Sequence, residues 1–242
     1  MVEILVFGDS DTSGRHTGGA PWPELLTADL VDAGRGPVNV RFSSFSPVPA
    51  NSAEFAARKV GETKPDIAIL VVASFPFTAR FVRLRVERLF GKRAGRWYKR
   101  LEDNFDTSTR GKSGGRDHLN RVARRVVPKV VGSGAYSTRE KVTANYVETL
   151  RALSRFEDTD VVVFSYPGMA ASTNTPWAVK QRKLFFAEMK AAASQQRMPW
   201  VDGVEIFAGH AREDVMADGF HFNQAGHRII ADALLAAVRQ LE

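Results

Sequence analysis

The chain has 242 residues, 44% of them apolar, and a formal net charge of +7. This length and apolar content favour a folded α/β domain, with or without an insertion, over a disordered chain. Because cysteine is absent, disulfides, thiolate metal sites and a cysteine nucleophile are excluded. A strand-like run starts directly after Met1, and no apolar run reaches the roughly 18 residues of a membrane-spanning helix, so the sequence predicts a cytoplasmic protein.

Outside the basic segment described below, strand-like and helix-like segments alternate along the chain. The predicted strands are Val2–Phe7, Val38–Phe42, Ile67–Ala73, Asp160–Ser165 and Trp200–Asp202. The predicted helices run from Pro21 to about Gly34, from Asn51 to Val60, from Ser137 to about Phe156, from Thr175 to about Gln196, and from Asn223 towards the end of the chain. This alternation predicts right-handed crossovers and a single domain, 1–242, built on a parallel sheet.

Helix boundaries are predicted from capping residues. Asn51 with Glu54, and Ser137 with Glu140, have the spacing of a capping box. Thr175 stands before a proline, and Asn223 or a neighbour is expected to cap the last helix.

Positive charge is concentrated in one segment. Residues 79–141 contain 18 lysines and arginines against 6 acidic residues, a local +12, whereas the rest of the chain contains 16 against 21, or −5. A stretch of this length is too long for a plain loop, so we expect a basic, mainly helical lid inserted at about 78–137. Its charge would attract an anionic substrate, a membrane surface or an acyl-carrier protein, although a solvated face is the simpler alternative. Nucleic acid is disfavoured because no recognised binding module is present.

Within this insertion, two stretches alternate apolar and basic residues. Residues 81–90 are consistent with an amphipathic helix whose apolar residues are Phe81, Leu84, Val86, Leu89 and Phe90. A second stretch starts at His118 and continues until Pro128 interrupts it. Between them, residues 91–115 contain glycines, polar residues and the pair Trp97-Tyr98, and no individual helix is assigned there.

The first predicted strand ends in a small polar turn that contains a serine. Gly8, Asp9 and Ser10 follow the apolar run directly. Open α/β folds bind ligands at the carboxyl ends of their parallel strands, so Ser10 stands where a nucleophile would meet a substrate. The same residues are ordinary turn formers, and a purely structural turn is the alternative.

A serine nucleophile needs a base, which predicts a histidine oriented by a carboxylate. Of the five histidines, His221 lies in a polar turn before the last helix, with Asp218 three residues earlier. Across one tight turn, that carboxylate can hold Nδ1–H while Nε2 acts as the base. His227 is instead predicted to lie on the last helix. Taken singly, Asp218 could be a turn residue and His221 a surface residue.

Together, Gly8-Asp9-Ser10 and Asp218-Gly219-Phe220-His221 resemble the terminal sequence blocks of the SGNH or GDSL-type hydrolases. The resemblance spans nearly the whole chain and implies a three-layer α/β/α, flavodoxin-like fold with a central parallel sheet. It also implies a serine esterase or acyl hydrolase that uses neither a metal nor a cofactor. Ser10 would be its nucleophile, His221 its general base and acid, and Asp218 the residue that orients the imidazole.

Two blocks of this chain depart from the family pattern, and both concern the oxyanion hole. The family has Gly-x-Asn-Asp after the third strand, where this chain has Ala73-Ser74-Phe75-Pro76, and the loop after the second strand lacks the usual glycine. The candidate oxyanion or substrate-binding residues are therefore Asp9, Ala50, Asn51, Ala73 and Ser74, with the Ser10 N–H as a further donor.

The resulting hypothesis is serine-dependent hydrolysis of a small-molecule, lipid or carbohydrate carboxylic ester, with anionic esters favoured by the basic insertion. Acyl transfer to a sugar or alcohol uses the same groups and stays open. A non-catalytic protein that keeps the fold and binds an anionic ligand through the insertion is the alternative from a different class.

Overall fold

The computed structural model describes residues 1–9, 12, 19–79, 81–107, 133–168, 175–218 and 221–241, with side chains left undescribed for residues 100–107. The chain separates into two compact units, Met1–Pro76 with Arg139–Glu242, and Phe77–Thr138. The second unit corresponds in range to the predicted basic insertion. That this insertion acts as a lid stays a prediction.

A parallel sheet forms the centre of the first unit. Its described strands lie in the order β2-β1-β3-β4-β5, and every neighbouring pair is parallel. They are β1 (Val2–Gly8), β2 (Val38–Ser44), β3 (Ile67–Val72), β4 (Asp160–Ser165) and β5 (Trp200–Asp202). The predicted strands and their parallel pairing are confirmed. This is the flavodoxin-like strand order, in which the winding changes direction between β1 and β3.

Helices cover both faces of this sheet. In chain order, the described helices are α1 (Trp22–Asp32), α2 (Ser52–Thr63), α3 (Phe75–Thr78), α4 (Val82–Phe90), α5 (Lys92–Thr107), α6 (Arg139–Leu153), α7 (Pro176–Gln195), α8 (Gly203–Ile206), α9 (Arg212–Val215) and α10 (Gln224–Arg239). The short helices α3, α8 and α9 were not predicted. Helices α1 and α10 contact each other, as do α2 with α6 and α6 with α7.

The hydrophobic core explains the continuous apolar runs of the central strands. On one face, Ile69 and Val162 belong to a buried cluster that includes side chains of α1 and α10. Leu70 alternates with Ile69 and is also buried, so β3 is covered on both faces. On that second face, the rings of Tyr146 from α6 and Phe185 from α7 are buried, with centroids 5.9 Å apart.

Most predicted helix ends are reproduced. Gly34 has a φ of +82° just after α1, a conformation that favours glycine. Thr175 caps α7, because its side chain accepts a hydrogen bond from the Ala178 N–H at 3.2 Å. The capping box predicted at Asn51 is wrong: Asn51 precedes α2, but its side chain makes no capping hydrogen bond.

The second unit contains a helical hairpin of α4 and α5, in which Val86 and Tyr98 are buried. The predicted apolar face of α4 is wrong in part, because Leu89 and Phe90 are exposed. Helix α5 was missed, since Gly95 and a high density of lysine and arginine obscured its periodicity. The predicted stretch that begins at His118 lies outside the described residues.

Candidate active site

The carboxyl ends of the parallel strands define one edge of the sheet. Gly8 ends β1, Val72 ends β3 and Ser165 ends β4 at this edge. In folds with this strand order, ligands bind in the crevice outside the strand ends, where the winding changes direction. The predicted site residues belong to the loops that follow β1, β2 and β3 or to the loop that precedes α10.

The predicted turn after β1 brings Thr12 close to Gly8. A Cβ atom on Gly8 would overlap the side chain of Thr12, which is itself buried, so only glycine fits at this position. This turn contains Ser10 in the sequence, but Ser10 lies outside the described residues. Its role as nucleophile therefore stays a prediction.

Asp218 and His221 form a directly bonded pair. Asp218 Oδ2 lies 2.7 Å from His221 Nδ1, and Asp218 Oδ1 accepts a hydrogen bond from the His221 backbone N–H, also at 2.7 Å. The carboxylate thus contacts both the ring and the backbone of the same histidine. Because Nδ1–H points to the carboxylate, a neutral imidazole keeps Nε2 as the nitrogen that accepts a proton.

The histidine hairpin, which consists here of residues 216–218 and 221–222, holds this pair in place. Met216 and Phe222 form an antiparallel bridge, and the Ala217 N–H donates to the His221 carbonyl at 2.8 Å. The Asn223 N–H donates to the Val215 carbonyl at 3.0 Å, which closes the base of the hairpin. These backbone bonds fix the Asp218 to His221 spacing.

Aromatic packing anchors the histidine hairpin to the sheet edge. Phe222 is fully buried and stacks on Phe207, with ring centroids 4.8 Å apart and planes 6° from parallel. Its ring also lies 5.4 Å from that of Tyr166, the residue that directly follows β4. The Tyr166 N–H donates to the Val72 carbonyl at 2.8 Å. Phe222, the neighbour of His221 in sequence, thus packs on a residue that is bonded to the end of β3 and directly follows β4.

A second histidine close in sequence has a different environment. His227 on α10 is completely buried, and its Nδ1 accepts a hydrogen bond from the Trp22 N–H at 3.3 Å. Burial lowers the pKa of His227 to about 4, because the imidazolium would lose its hydration. His227 is therefore a neutral hydrogen-bond acceptor in the core. Of the two histidines at the start of α10, His221 is the one whose ring is paired with a carboxylate.

Two neighbouring residues of α6 hold the other loops of the sheet edge. Asn145 Nδ2 donates to the carbonyls of Pro47 and Pro49, at 2.6 and 3.1 Å, in the loop between β2 and α2. The Tyr146 hydroxyl accepts from the Ala73 N–H at 3.1 Å and donates to the Val71 carbonyl at 3.3 Å, at the end of β3. Sequence reasoning missed both roles; the available signal was a polar Asn145 beside the apolar face of a helix.

The candidate oxyanion residues differ in whether their backbone N–H groups are already hydrogen-bonded. The Ala73 N–H is already bonded to Tyr146, and Ser74 is buried. Ala50 and Asn51 are exposed, and among the described residues no hydrogen bond uses their backbone N–H groups. The Ala73 N–H is therefore already used, whereas the N–H groups of Ala50 and Asn51 bond to no other described group.

Asp9, which follows β1, acts electrostatically on the Tyr146 hydroxyl at the end of β3. It is partly buried, and its negative charge adds to the effect of burial, which raises the pKa of the Tyr146 hydroxyl. Tyr146 therefore stays protonated and keeps its bond to the Val71 carbonyl.

No group of His, Asp or Glu side chains suited to hold a metal ion occurs among the described residues. In the same part of the chain, no helix is long and apolar enough to span a membrane.

No protein-family model matches the chain, and no curated protein matches it in sequence. Solved structures do match. An acetyl xylan esterase, AlAXEase, has a TM-score of 0.59 and 13% identity, covering 98% of this chain and 100% of its own. The lipase Lip_vut3 from a goat rumen metagenome has a TM-score of 0.60 and 14% identity, covering 98% and 97%. Axe2, an acetylxylan esterase from Geobacillus stearothermophilus, has a TM-score of 0.59 and 13% identity, covering 98% and 94%. This likeness shows the fold, and the predicted fold class is confirmed.

Proposed function

We propose that the protein is a serine hydrolase that cleaves carboxylic esters through Ser10, His221 and Asp218. The observation that carries the proposal is the Asp218 carboxylate, which lies 2.7 Å from both Nδ1 and the backbone N–H of His221. A surface aspartate that only caps a turn needs the backbone bond alone. The additional bond to the ring is the one that a catalytic carboxylate makes.

In this mechanism the Ser10 hydroxyl attacks the ester carbonyl carbon while His221 Nε2 removes its proton. The tetrahedral intermediate collapses when the imidazolium returns that proton to the departing alcohol, leaving an acyl group on Ser10. Water then attacks the acyl-enzyme, His221 again acting as base, and the carboxylic acid and Ser10 are released. Asp218 holds the ring and stabilises the imidazolium at each stage.

The developing oxyanion needs hydrogen-bond donors that are not already used. We assign this role to the backbone N–H groups of Ser10 and of Ala50 or Asn51, in place of the Asn side chain of the family pattern. The bonds from Asn145 to Pro47 and Pro49 support this assignment, because they hold the loop that carries these donors. Removing one such donor elsewhere costs about 10²–10³ in turnover.

The proposed substrate is an ester with a short acyl chain. The structural neighbours named above are two acetyl xylan esterases and a lipase, which supports ester hydrolysis as the reaction. The same residues could pass the acyl group to a sugar or alcohol in place of water. Adding an alcohol acceptor to the assay distinguishes the two, because transfer yields a new ester and hydrolysis yields the free acid.

The test is labelling with a fluorophosphonate probe together with hydrolysis of p-nitrophenyl acetate. We expect Ser10→Ala to abolish labelling and to lower turnover by at least about 10³-fold. Ser154→Ala is the matched control, because Ser154 is an exposed serine whose hydroxyl only bonds the Arg151 carbonyl. Equal labelling of wild type and Ser10→Ala would place the nucleophile elsewhere and remove this function.

A non-catalytic binding protein is the second candidate. It is favoured by the end of β3, where the Ala73 N–H is occupied by Tyr146 and Ser74 is buried. In that case, wild type would neither react with the probe nor turn over short or long esters. It would instead bind a phosphorylated ligand with an affinity that falls as salt is added.

A further inference from the structure

The helical hairpin of the second unit uses one side of each helix for its own packing. Val82 and Val86 of α4 pack with Ala94 and Tyr98 of α5. The helices approach closely, since a Cβ atom on Gly95 would lie 2.6 Å from the Glu87 Cβ. The other sides of both helices therefore face away from the contact between α4 and α5.

At the turn of this hairpin, three large apolar side chains remain exposed. Leu89 and Phe90, the last residues of α4, are 51% and 65% exposed, and Trp97 in the second turn of α5 is 53% exposed. Gly91, with a φ of +85°, joins the two helices between them. We call residues 89–97 the hairpin tip. Three such side chains within nine residues are more than the scattered apolar exposure normal for a soluble surface.

The helical hairpin that ends in this tip carries a strong positive charge. Residues 82–99 contain seven lysines and arginines against one carboxylate, that of Glu87. Lys92, Arg93 and Arg96 of the tip are exposed and form no ion pair within the described residues. Elsewhere on the hairpin, Arg83 and Arg88 donate to the Tyr136 hydroxyl and the Ala135 carbonyl, which are uncharged, so their charges are not neutralised either.

We propose that the hairpin tip docks on an anionic lipid surface. Negative lipid headgroups would pair with the lysine and arginine side chains, while Trp97, Phe90 and Leu89 enter the boundary between headgroups and acyl chains. A tryptophan and a phenylalanine among cations are typical of segments that lie in this interface. A soluble polyanion would use the charges but leave three exposed apolar side chains without a role.

The test is sedimentation of the full chain with vesicles of phosphatidylcholine, with and without phosphatidylserine, at low and moderate salt. We expect binding only to the anionic vesicles, weakening as salt is added. Lys92→Glu with Arg93→Glu should weaken that binding at least tenfold. Phe90→Ser with Trp97→Ser should also weaken it at least tenfold. In a separate readout, brominated acyl chains should quench wild-type tryptophan fluorescence, and Trp97→Phe should lose most of the quenching.

The matched control is Lys183→Glu with Leu184→Ser on α7, where an exposed lysine also adjoins an exposed leucine. This variant should bind vesicles like wild type, and circular dichroism should show every variant folded. Absence of binding to anionic vesicles at low salt would overturn the proposal. Binding that needs the charges but not Phe90 and Trp97 would also overturn it, assigning the tip to an acidic macromolecule. Because vesicle binding needs no catalysis, the result is independent of whether Ser10 is a nucleophile.

Discussion

The two sides of the candidate site use hydrogen bonds in opposite ways. In the histidine hairpin, the Asp218 carboxylate bonds the imidazole that is proposed to move protons. On the other side, Asn145 and Tyr146 bond backbone groups of the loops after β2 and β3. In the histidine hairpin, the bond therefore joins two side chains that are both proposed to act in catalysis. In the loops after β2 and β3, the bonds of Asn145 and Tyr146 position backbone groups.

Under the proposed function, this difference would allow an altered oxyanion hole to coexist with the proposed pair of Asp218 and His221. The loop after β3 begins with Ala73, and the N–H of that residue donates to the Tyr146 hydroxyl. The β2 loop keeps backbone N–H groups of Ala50 and Asn51 that bond to no described group. Both departures from the SGNH-type pattern lie in the loops that Asn145 and Tyr146 bond. Under the proposed function, a backbone N–H of the β2 loop would take the place of the lost donor.

Replacing the Asp218 carboxylate should give the largest loss of activity. Asp218→Asn preserves the shape but replaces the acceptor of the Nδ1–H bond with an amide that can favour the wrong imidazole tautomer. We expect kcat/KM for p-nitrophenyl acetate to fall by about 10³–10⁴-fold. Steady-state kinetics measure this loss directly.

Asp214→Asn is the control for that substitution. Asp214 is exposed, lies four residues before Asp218, and contributes its backbone carbonyl, not its side chain, to the hydrogen bond from Asn223. Its kcat/KM should stay close to wild type. If both variants lost activity equally, the effect would belong to the folding of the hairpin and not to the carboxylate.

Acid should destabilise the core beneath the histidine hairpin through His227. The pKa of His227 is lowered to about 4 from its ordinary 6.5, so between these pH values the unfolded chain binds a proton that the folded chain does not. The free energy of unfolding should therefore fall by about 3 kcal/mol as the pH drops through this window. Urea unfolding at both ends of the window measures the change.

His227→Asn tests the origin of that pH dependence, because asparagine can still accept the Trp22 N–H and does not titrate. Its stability should decline less between the same two pH values than that of wild type. Carboxylates elsewhere protonate in both proteins, so their contribution cancels in the comparison. An unchanged slope would assign the acid sensitivity to another group.

Removing the acceptor of the Ala73 N–H tests whether the end of β3 takes part in the site. Tyr146→Phe removes the hydroxyl that bonds Ala73 and Val71, and it leaves the buried Ala73 N–H without its acceptor. We expect the free energy of unfolding to fall by about 1–3 kcal/mol. If the oxyanion donors are those of the β2 loop, kcat should change less than about tenfold. A larger loss of kcat would show that the end of β3 takes part in the site.

Much of this fold could be predicted, because its strands are encoded locally. The continuous, β-branched apolar run at Ile67–Val72 is typical of a buried central strand, and strands that alternate with helices favour a parallel sheet. Asp218 and His221 were also predictable, since three residues across one turn place both side chains together.

What sequence reasoning missed depends on contacts between distant segments. Asn145 reaches a loop about a hundred residues earlier, and Tyr146 reaches the end of β3. Neither contact leaves a local pattern, since an isolated polar residue on a helix is compatible with many environments. Helix α5 was missed for a different reason: its stability comes from packing on α4, which overrides a composition rich in charge and interrupted by glycine.

Two asparagines that begin helices should give the smallest effects and compare the two sides of the site directly. Asn223 Oδ1 accepts from the Gly226 N–H at 3.0 Å, and its Nδ2 donates to the Asp214 carbonyl at 2.9 Å, so it joins α10 to α9. Asn51 occupies the same position before α2, but its side chain makes no capping bond. Asn223→Ala should therefore lower the free energy of unfolding by about 1–2 kcal/mol, whereas Asn51→Ala should change it by less than about 0.5 kcal/mol. Urea unfolding of both variants decides this. Equal losses would mean that Asn51 caps α2 in solution, and the β2 loop would then be held by a side chain of its own as well as by Asn145.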